Sequence, residues 1–306
     1  MAHEDSFLLC ILIPTYKRNE KLAHLLHAYR EVLADNPDIE IIVSNNDPSC
    51  NDSEAIVADL GLPQVKYVRQ RINLGQIIHL GWLLGQSTGK YTWLHGDDDI
   101  MTAAEFRLVV IQIRENPGVA YFFIPAISQN QNNGDSTKTK KDEVYWKNGG
   151  DLYVENYPIT TLITTGIYET QAIQSELGGQ INLSSYFFFP ISVTAASVGT
   201  GYHIQGVMIR QGLNFSIKEK SKQRKIFLRH MYEELLSNKG WSYWQRNTAL
   251  VNDLFRYAPH GTVLAALLLF ETSMFFRLLV RHPLAIIPAL PVHMLASVRR
   301  LITGVL

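Results

Sequence analysis

The chain has 306 residues, 46% of them hydrophobic and 18% charged, with 28 Lys/Arg balanced by 28 Asp/Glu. That supports one large domain, or one domain with an appendage. Two cysteines, Cys10 and Cys50, are too few for a disulfide framework or a cysteine-built metal cluster. They fit a reducing cytoplasm, and residues 1–6 carry Glu4 and Asp5 in place of the basic start of a signal sequence.

Residues 7–13 are an unbroken apolar run ended by Pro14, the pattern of a central parallel strand covered on both faces. Leu22, Leu25, Leu26, Tyr29 and Leu33 then fall at helical spacing over residues 20–34. A strand is predicted over 39–43, a short helix over 53–60 and a third strand over 65–68. Residues 74–84 read as a helix with Ile77, Ile78, Gly81 and Leu84 on its inner stripe. Fourth and fifth strands are predicted over 91–94 and 119–124. This alternation predicts an α/β fold, a mostly parallel sheet with helices on both faces. Ligands of such sheets sit beyond the carboxyl ends of strands. Pro14-Thr15-Tyr16, the Ser-Asn-Asn-Asp run at 44–47 and the aspartates 97–99 each follow such an end, so they are expected to share one crevice.

The fourth strand carries the chemistry. Gly96 turns the chain and Asp97, Asp98 and Asp99 follow. Three adjacent carboxylates repel one another, and mounting them at the end of a buried strand points to a hard divalent cation, magnesium or manganese, that holds a phosphate group. The alternative is an acidic turn that caps a helix. Both readings can hold, because Thr102 and Glu105 form a capping-box pattern ahead of Phe106, Val109, Val110 and Ile113.

Residues 128–150 are polar and read as a mobile loop, a lid over the crevice. Residues 153–203 are rich in Thr, Ser and Gly and are expected to hold a helix or two and some sheet-edge strand. From Arg210 to Arg300 there are 14 Lys/Arg, against five Asp/Glu over 202–306, a surplus of +9. Two apolar blocks lie there: 14 uncharged residues between Arg256 and Glu271, and 16 residues over 283–298 that include Pro283, Pro288 and Pro291. Neither reaches the ~18–20 apolar residues needed to span a bilayer. Rimmed by Arg256, Arg277, Arg281, Arg299 and Arg300, they read as helices lying in an anionic membrane interface. A helical pair packed on the domain and a homo-oligomer interface are the other readings. Nucleic acid is not expected, since apolar blocks interleave with the basic residues.

Four stretches together resemble a known family. The run Ile-Leu-Ile-Pro-Thr-Tyr-Lys-Arg ending at Arg18 resembles the opening strand and turn of family 2 glycosyltransferases, which have the GT-A fold. Ile-Ile-Val-Ser-Asn-Asn ending at Asn46 is similar to that family's second strand and nucleotide-binding turn. Asn73-Leu74-Gly75 is similar to its Asn-x-Gly turn, and the Gly-Asp-Asp-Asp at 96–99 to its Asp-x-Asp stretch. This last form is similar to the subgroup that adds dideoxyhexoses such as abequose to bacterial O-antigens. The resemblance covers about residues 7–125.

It implies transfer of a sugar from a nucleoside-diphosphate donor to an acceptor hydroxyl, usually with inversion. Position by position, it implies that Pro14, Thr15, Tyr16, Arg18, Asn45, Asn73 and Gly75 line the nucleotide pocket, with Asp97 and Asp98. Asp97 and Asp99 would hold the metal. Where the family has an Asp that pairs with the base, this chain has Asn45. Where it has a Glu-Asp pair whose Asp is the catalytic base, shortly after Gly178 and Gly179, this chain has no carboxylate over 180–185. Glu169, Glu176 and His203 are the nearest titratable residues, and Glu176 and His203 stand as the base candidates. The expected division is 1–215 for the glycosyltransferase domain (nucleotide half 1–125, acceptor half 126–215) and 216–306 for a helical membrane-interface region. The expected acceptor is a lipid-linked saccharide, and the expected location is the cytoplasmic face of the inner membrane, peripheral or monotopic. Two other functions compete: a nucleotidyltransferase, disfavoured because the loop after the first strand is not Gly-rich, and a nucleotide-sugar-binding membrane scaffold without turnover.

Overall fold

The computed structural model describes residues 7–50, 52–128, 144–157, 159–177, 188–212, 241–251, 277, 279–283 and 286. The chain divides into two compact units. Unit 1 comprises Met1–Leu152 with Thr161–Asn214, and unit 2 comprises Tyr153–Thr160 with Phe215–Leu306.

Unit 1 is built on a sheet whose first half follows the alternating pattern. Strands β1 (Leu9–Thr15), β2 (Ile39–Asn45), β3 (Val65–Arg69) and β4 (Tyr91–Leu94) are all parallel, in the order β3-β2-β1-β4. Helices α1 (Asn19–Ala34), α2 (Asp52–Asp59), α3 (Gly75–Leu84) and α4 (Ala103–Glu115) connect and follow them. Strands β1, β2 and β4 are buried on both faces, which explains their continuous apolar sequence. Helix α1 packs with α2 and α4, whereas α3 packs under β1 with α6 (Thr170–Leu177). The α1 core face is Leu22, Leu25, Leu26, Tyr29, Val32 and Leu33, the predicted stripe with Val32 added. The α3 stripe is rotated from expectation. Its buried residues are His79, Leu80, Leu83 and Leu84, while Ile78 is exposed. An apolar helix does not fix its own rotation, and here a buried Ser44–His79 hydrogen bond of 2.7 Å does.

The second half departs from a parallel sheet. The full order is β3-β2-β1-β4-β8-β5-β9-β7. Strand β8 (Gly166–Glu169) runs antiparallel to both β4 and β5 (Tyr121–Phe123), inside the sheet and not at its edge. Strand β9 (Gly201–His203) is parallel to β5, and β7 (Tyr145–Trp146) is antiparallel to β9. A separate pair joins β6 (Ala126–Ser128) to β10 (Ile209–Gln211). The segment read as a loop over 128–150 therefore contains β7 and the start of α5 (Gly149–Glu155). Its residues 129–143 lie outside the described residues, and with them most of the lid expectation. Helix α7 (Phe188–Ser197) completes the layer with α6.

In unit 2, helix α8 (Tyr243–Val251) opens on a capping box: the Gln245 N–H donates to Ser242 Oγ at 3.2 Å and the Ser242 N–H to Gln245 Oε1 at 2.8 Å. Trp241 is buried against the edges of Tyr153 and Tyr157. Among the described residues no helix is long and apolar enough to cross a membrane. The two apolar blocks fall almost wholly outside them.

Candidate active site

Strand order places the acidic turn at a point where connections diverge. From β1 the chain goes to β2 and β3 on one side, then returns through α3 to β4 on the other. Crevices of α/β sheets form at such points, beyond the carboxyl ends of the strands. Asp97, Asp98 and Asp99 follow β4 there, and all three are buried.

Each aspartate has its own partners. The Thr15 hydroxyl donates to Asp97 Oδ2 at 2.8 Å, and Arg18 Nη1 donates to Asp97 Oδ1 at 2.9 Å. Thr15 ends β1 and Arg18 caps α1 just after it, so Asp97 ties the ends of β4 and β1 together. Arg18 also reaches Asp98 Oδ2 at 3.2 Å, and Lys21 Nζ lies 3.3 Å from the same oxygen. Asp99 is different. Its Oδ2 accepts from the Thr164 hydroxyl, and the Gly212 N–H also donates to it. Among the described residues it has no ion pair. Burial, with the neighbouring Asp98 and Asp97, pushes its carboxyl up to about 6, against those two hydrogen bonds. Burial pushes Asp97 up as well, opposed by Thr15 and Arg18.

Beneath the turn, His95 Nδ1 lies 2.8 Å from the Gly96 carbonyl and Nε2 lies 2.9 Å from the Tyr29 hydroxyl. A carbonyl only accepts, so Nδ1 carries the proton and Tyr29 donates to Nε2. Burial pulls His95 down to about 4 and keeps it neutral. The Tyr29 ring stacks on Phe106 at 4.2 Å. Helix α4 starts at the Thr102–Glu105 capping box, as predicted.

The other expected pocket residues sit on the same rim. Pro14 and Thr15 close β1 in register with Ser44 and Asn45 of β2. Tyr16 is exposed, with the Lys17 ammonium over its ring at 5.2 Å. Asn45 is turned inward. Its Oδ1 accepts from the Asp47 N–H at 2.9 Å, which fixes the amide orientation, and its Nδ2 donates to Ser53 at 3.1 Å and to Tyr67 at 3.3 Å. Both amide hydrogens are thus used within the protein. Asn46 clamps the next turn: its Nδ2 donates to Asn73 Oδ1 at 3.0 Å and its Oδ1 accepts from the Leu74 N–H at 2.9 Å. Gly75 has φ +70°, a left-handed conformation that favours glycine.

The base candidates are not joined to this turn. Glu176 is exposed on α6. His203 ends β9, three strand positions from β4. It is buried with its ring 5.4 Å from Phe123, and burial pulls it down to about 4. Glu169 pairs with Tyr91 at the amino end of β4, because β8 runs backwards, and it lines a cavity of about 640 Å³ at that opposite edge with Lys90 and Gln174. Residues 178–187 lie outside the described residues.

Three partners escaped sequence reading: Lys21, Thr164 and Gly212. None belongs to a motif. Gly212 has a legible reason only in the structure, since a Cβ there would collide with the Asp98 carbonyl oxygen.

Residues 10–173 match the family described as Glycosyl transferase family 2, and the chain belongs to that family. It is 32% identical over 108 residues to the abequosyltransferase RfbV of Salmonella typhimurium, a match covering 34% of this chain and 32% of that protein. The chain thus spans about a third of the curated relative's length. Its fold is similar to that of S. aureus TarS 1-349, with a TM-score of 0.60 at 14% identity over 89% of this chain and 79% of that one. The same protein in complex with UDP-GlcNAc gives a TM-score of 0.60 at 15% identity, over 89% and 79% of the two chains. The mannosyltransferase PcManGT of Pyrobaculum calidifontis, in complex with GDP-Man and Mn2+, gives 0.50 at 13% identity over 96% and 87%. The fold is therefore a mixed α/β, GT-A-like one around a large central sheet.

Proposed function

We propose that this protein is a metal-dependent glycosyltransferase. It moves a sugar from a nucleoside-diphosphate donor to a hydroxyl of a lipid-linked saccharide at the cytoplasmic face of the bacterial inner membrane, in O-antigen or related polysaccharide assembly. The observation that carries it is Asp99: a buried carboxylate at the sheet's crevice with neutral hydrogen-bond donors and no ion pair among the described residues. A buried charge left uncompensated is costly, and a divalent cation offsets it. Manganese and magnesium commonly take only one or two carboxylates and complete their shell with water and substrate phosphates. The donor set fits that, although no group of three metal-ligating side chains occurs among the described residues. When bound, the cation stabilises the negative charge that develops on the departing diphosphate. The chain's own part is positional. Arg18 pairs with Asp97 and Asp98 and offsets their charge, and Thr15 and Asn46 brace the turns around it. The ligands of the structural relatives, UDP-GlcNAc and GDP-Man with Mn2+, support a nucleotide-sugar donor.

Calorimetric titration of UDP, GDP and CDP with and without manganese tests the donor reading. At least one is expected to bind at least ~10-fold tighter with the metal. No manganese effect on any of them overturns it.

The membrane reading is supported by the +9 surplus over residues 202–306, and in unit 2 by the exposed Trp244 and Val280, the latter beside Arg281 in sequence. The chain is expected to pellet with membranes and to leave them partly in high salt and fully in detergent. Remaining in solution at low salt without detergent rules this out.

A further inference from the structure

Asp99 is aimed by a hydroxyl that no motif announces. Thr164 lies in a single 3-10 turn, Ile163–Thr165, and is fully buried. The Gly96 N–H donates to its Oγ1 at 2.9 Å, and its own hydrogen goes to Asp99 Oδ2. The direction of this relay is fixed, because an amide N–H only donates and an ionised carboxylate only accepts. The threonine is itself held in place. The Trp93 indole N–H donates to its carbonyl at 2.8 Å, and the following residue accepts from the Ile124 N–H at 2.8 Å through the Thr165 carbonyl. Strand β4 and the residue that follows β5 therefore fix where the hydroxyl stands.

The choice of a hydroxyl matters. An aspartate carboxylate rotates broadly about its terminal torsion. A cationic partner would orient Asp99 but also neutralise it, as Arg18 does for Asp97. A hydroxyl orients it and leaves the full negative charge for a ligand. Ligating carboxylates depend on such partners, and losing one typically costs ~10–100-fold in metal affinity.

We propose that Thr164 is a positioning residue: its hydroxyl holds the Asp99 carboxylate in one orientation, fully charged, for the divalent cation that accompanies the donor nucleotide. This rests on the reading of Asp99 as the cation's ligand.

The test is calorimetry of the nucleoside diphosphate that binds best, with and without manganese, on the wild type, Thr164→Val and Thr164→Ser. Valine keeps the shape and removes the hydroxyl, and serine restores the hydroxyl without the methyl group. Thr164→Val is expected to weaken manganese-dependent binding at least ~10-fold while metal-free affinity stays within ~2-fold. Thr164→Ser is expected to recover the manganese effect to within ~3-fold of the wild type. A merely structural role would lower both affinities together, and serine would not rescue the manganese effect selectively. Wild-type manganese dependence in Thr164→Val, or an equal loss of metal-free affinity, overturns the proposal. Absence of a manganese effect in the wild type overturns instead the cation reading beneath it, and this inference with it. If the valine variant does not fold, Thr164→Ala is read by the same criteria.

Discussion

The aspartates of the turn are served from two sides of the sheet. Asp97 is held from β1, next to its own strand, by Thr15 and Arg18. Asp99 is held from the other half, by Thr164 just before the reversed strand β8 and by Gly212 just after β10. The near half answers with a cation beside a hydroxyl, the far half with neutral donors. The parallel half-sheet thus presents all three acidic groups, yet the partners of the third come from elsewhere in the chain. Four expected outcomes would sharpen or break this contrast.

The largest is acid sensitivity, which both halves should share. His79 and His95 in the near half and His203 in the far half are buried, and burial pulls each down to about 4. The unfolded chain takes up these protons near the usual histidine value of about 6.5. The folded chain takes them up only near 4. Stability present above about pH 6.5 is therefore lost as pH falls towards 4, by up to about 3 kcal/mol per histidine. Urea midpoints should be lower at about pH 5 than at about pH 7.5. His203→Gln should remove its share and leave manganese-dependent nucleotide affinity unchanged. A clear loss of that affinity would return His203 to the site and break the contrast.

Next is Asp99→Asn. It should abolish manganese-dependent nucleotide binding and lower turnover at least ~100-fold. Asp97→Asn should weaken nucleotide binding with or without metal. Calorimetry giving both variants the same profile would mean that the two carboxylates do not divide the work.

Third is Gly212→Ala. Its methyl group meets the Asp98 carbonyl, so overpacking should cost about 1–3 kcal/mol in chemical denaturation and weaken the manganese effect. Gly118→Ala, where a Cβ meets nothing within 4 Å, should stay within about 0.5 kcal/mol of the wild type. Smallest is Thr102→Ala, which removes the α4 capping box and should cost about 1 kcal/mol. Nucleotide affinity should not change, because the cap serves the helix and not the turn before it.

The near half was legible because its determinants are local. Continuous apolar runs gave β1, β2 and β4, the α1 stripe gave its core face, and Thr102 with Glu105 gave the start of α4. The far half was not, because its decisive fact is direction. Nothing in Gly-Ile-Tyr-Glu says that β8 runs antiparallel between β4 and β5, and that reversal places Glu169 at the amino end of β4, opposite the aspartates. The place of Asn45 at the end of β2 was legible, but its inward turn depends on Ser53 and Tyr67 reaching it. Thr164 sits among several threonines, and only the fold singles it out.

The route by which Asp99 is held also sets an order of assembly. Thr164 lies 65 residues after the carboxylate it serves, and Lys21 and Gly212, which meet across the turn at 3.4 Å, are 191 residues apart. A chain emerging from the ribosome exposes β1 to β4 and the three aspartates long before either far-side donor exists, and amino-terminal structure generally forms first. At that stage Arg18 and Lys21 are the partners the turn can find. An unfinished chain thus carries all three aspartates without the means to hold the third in place.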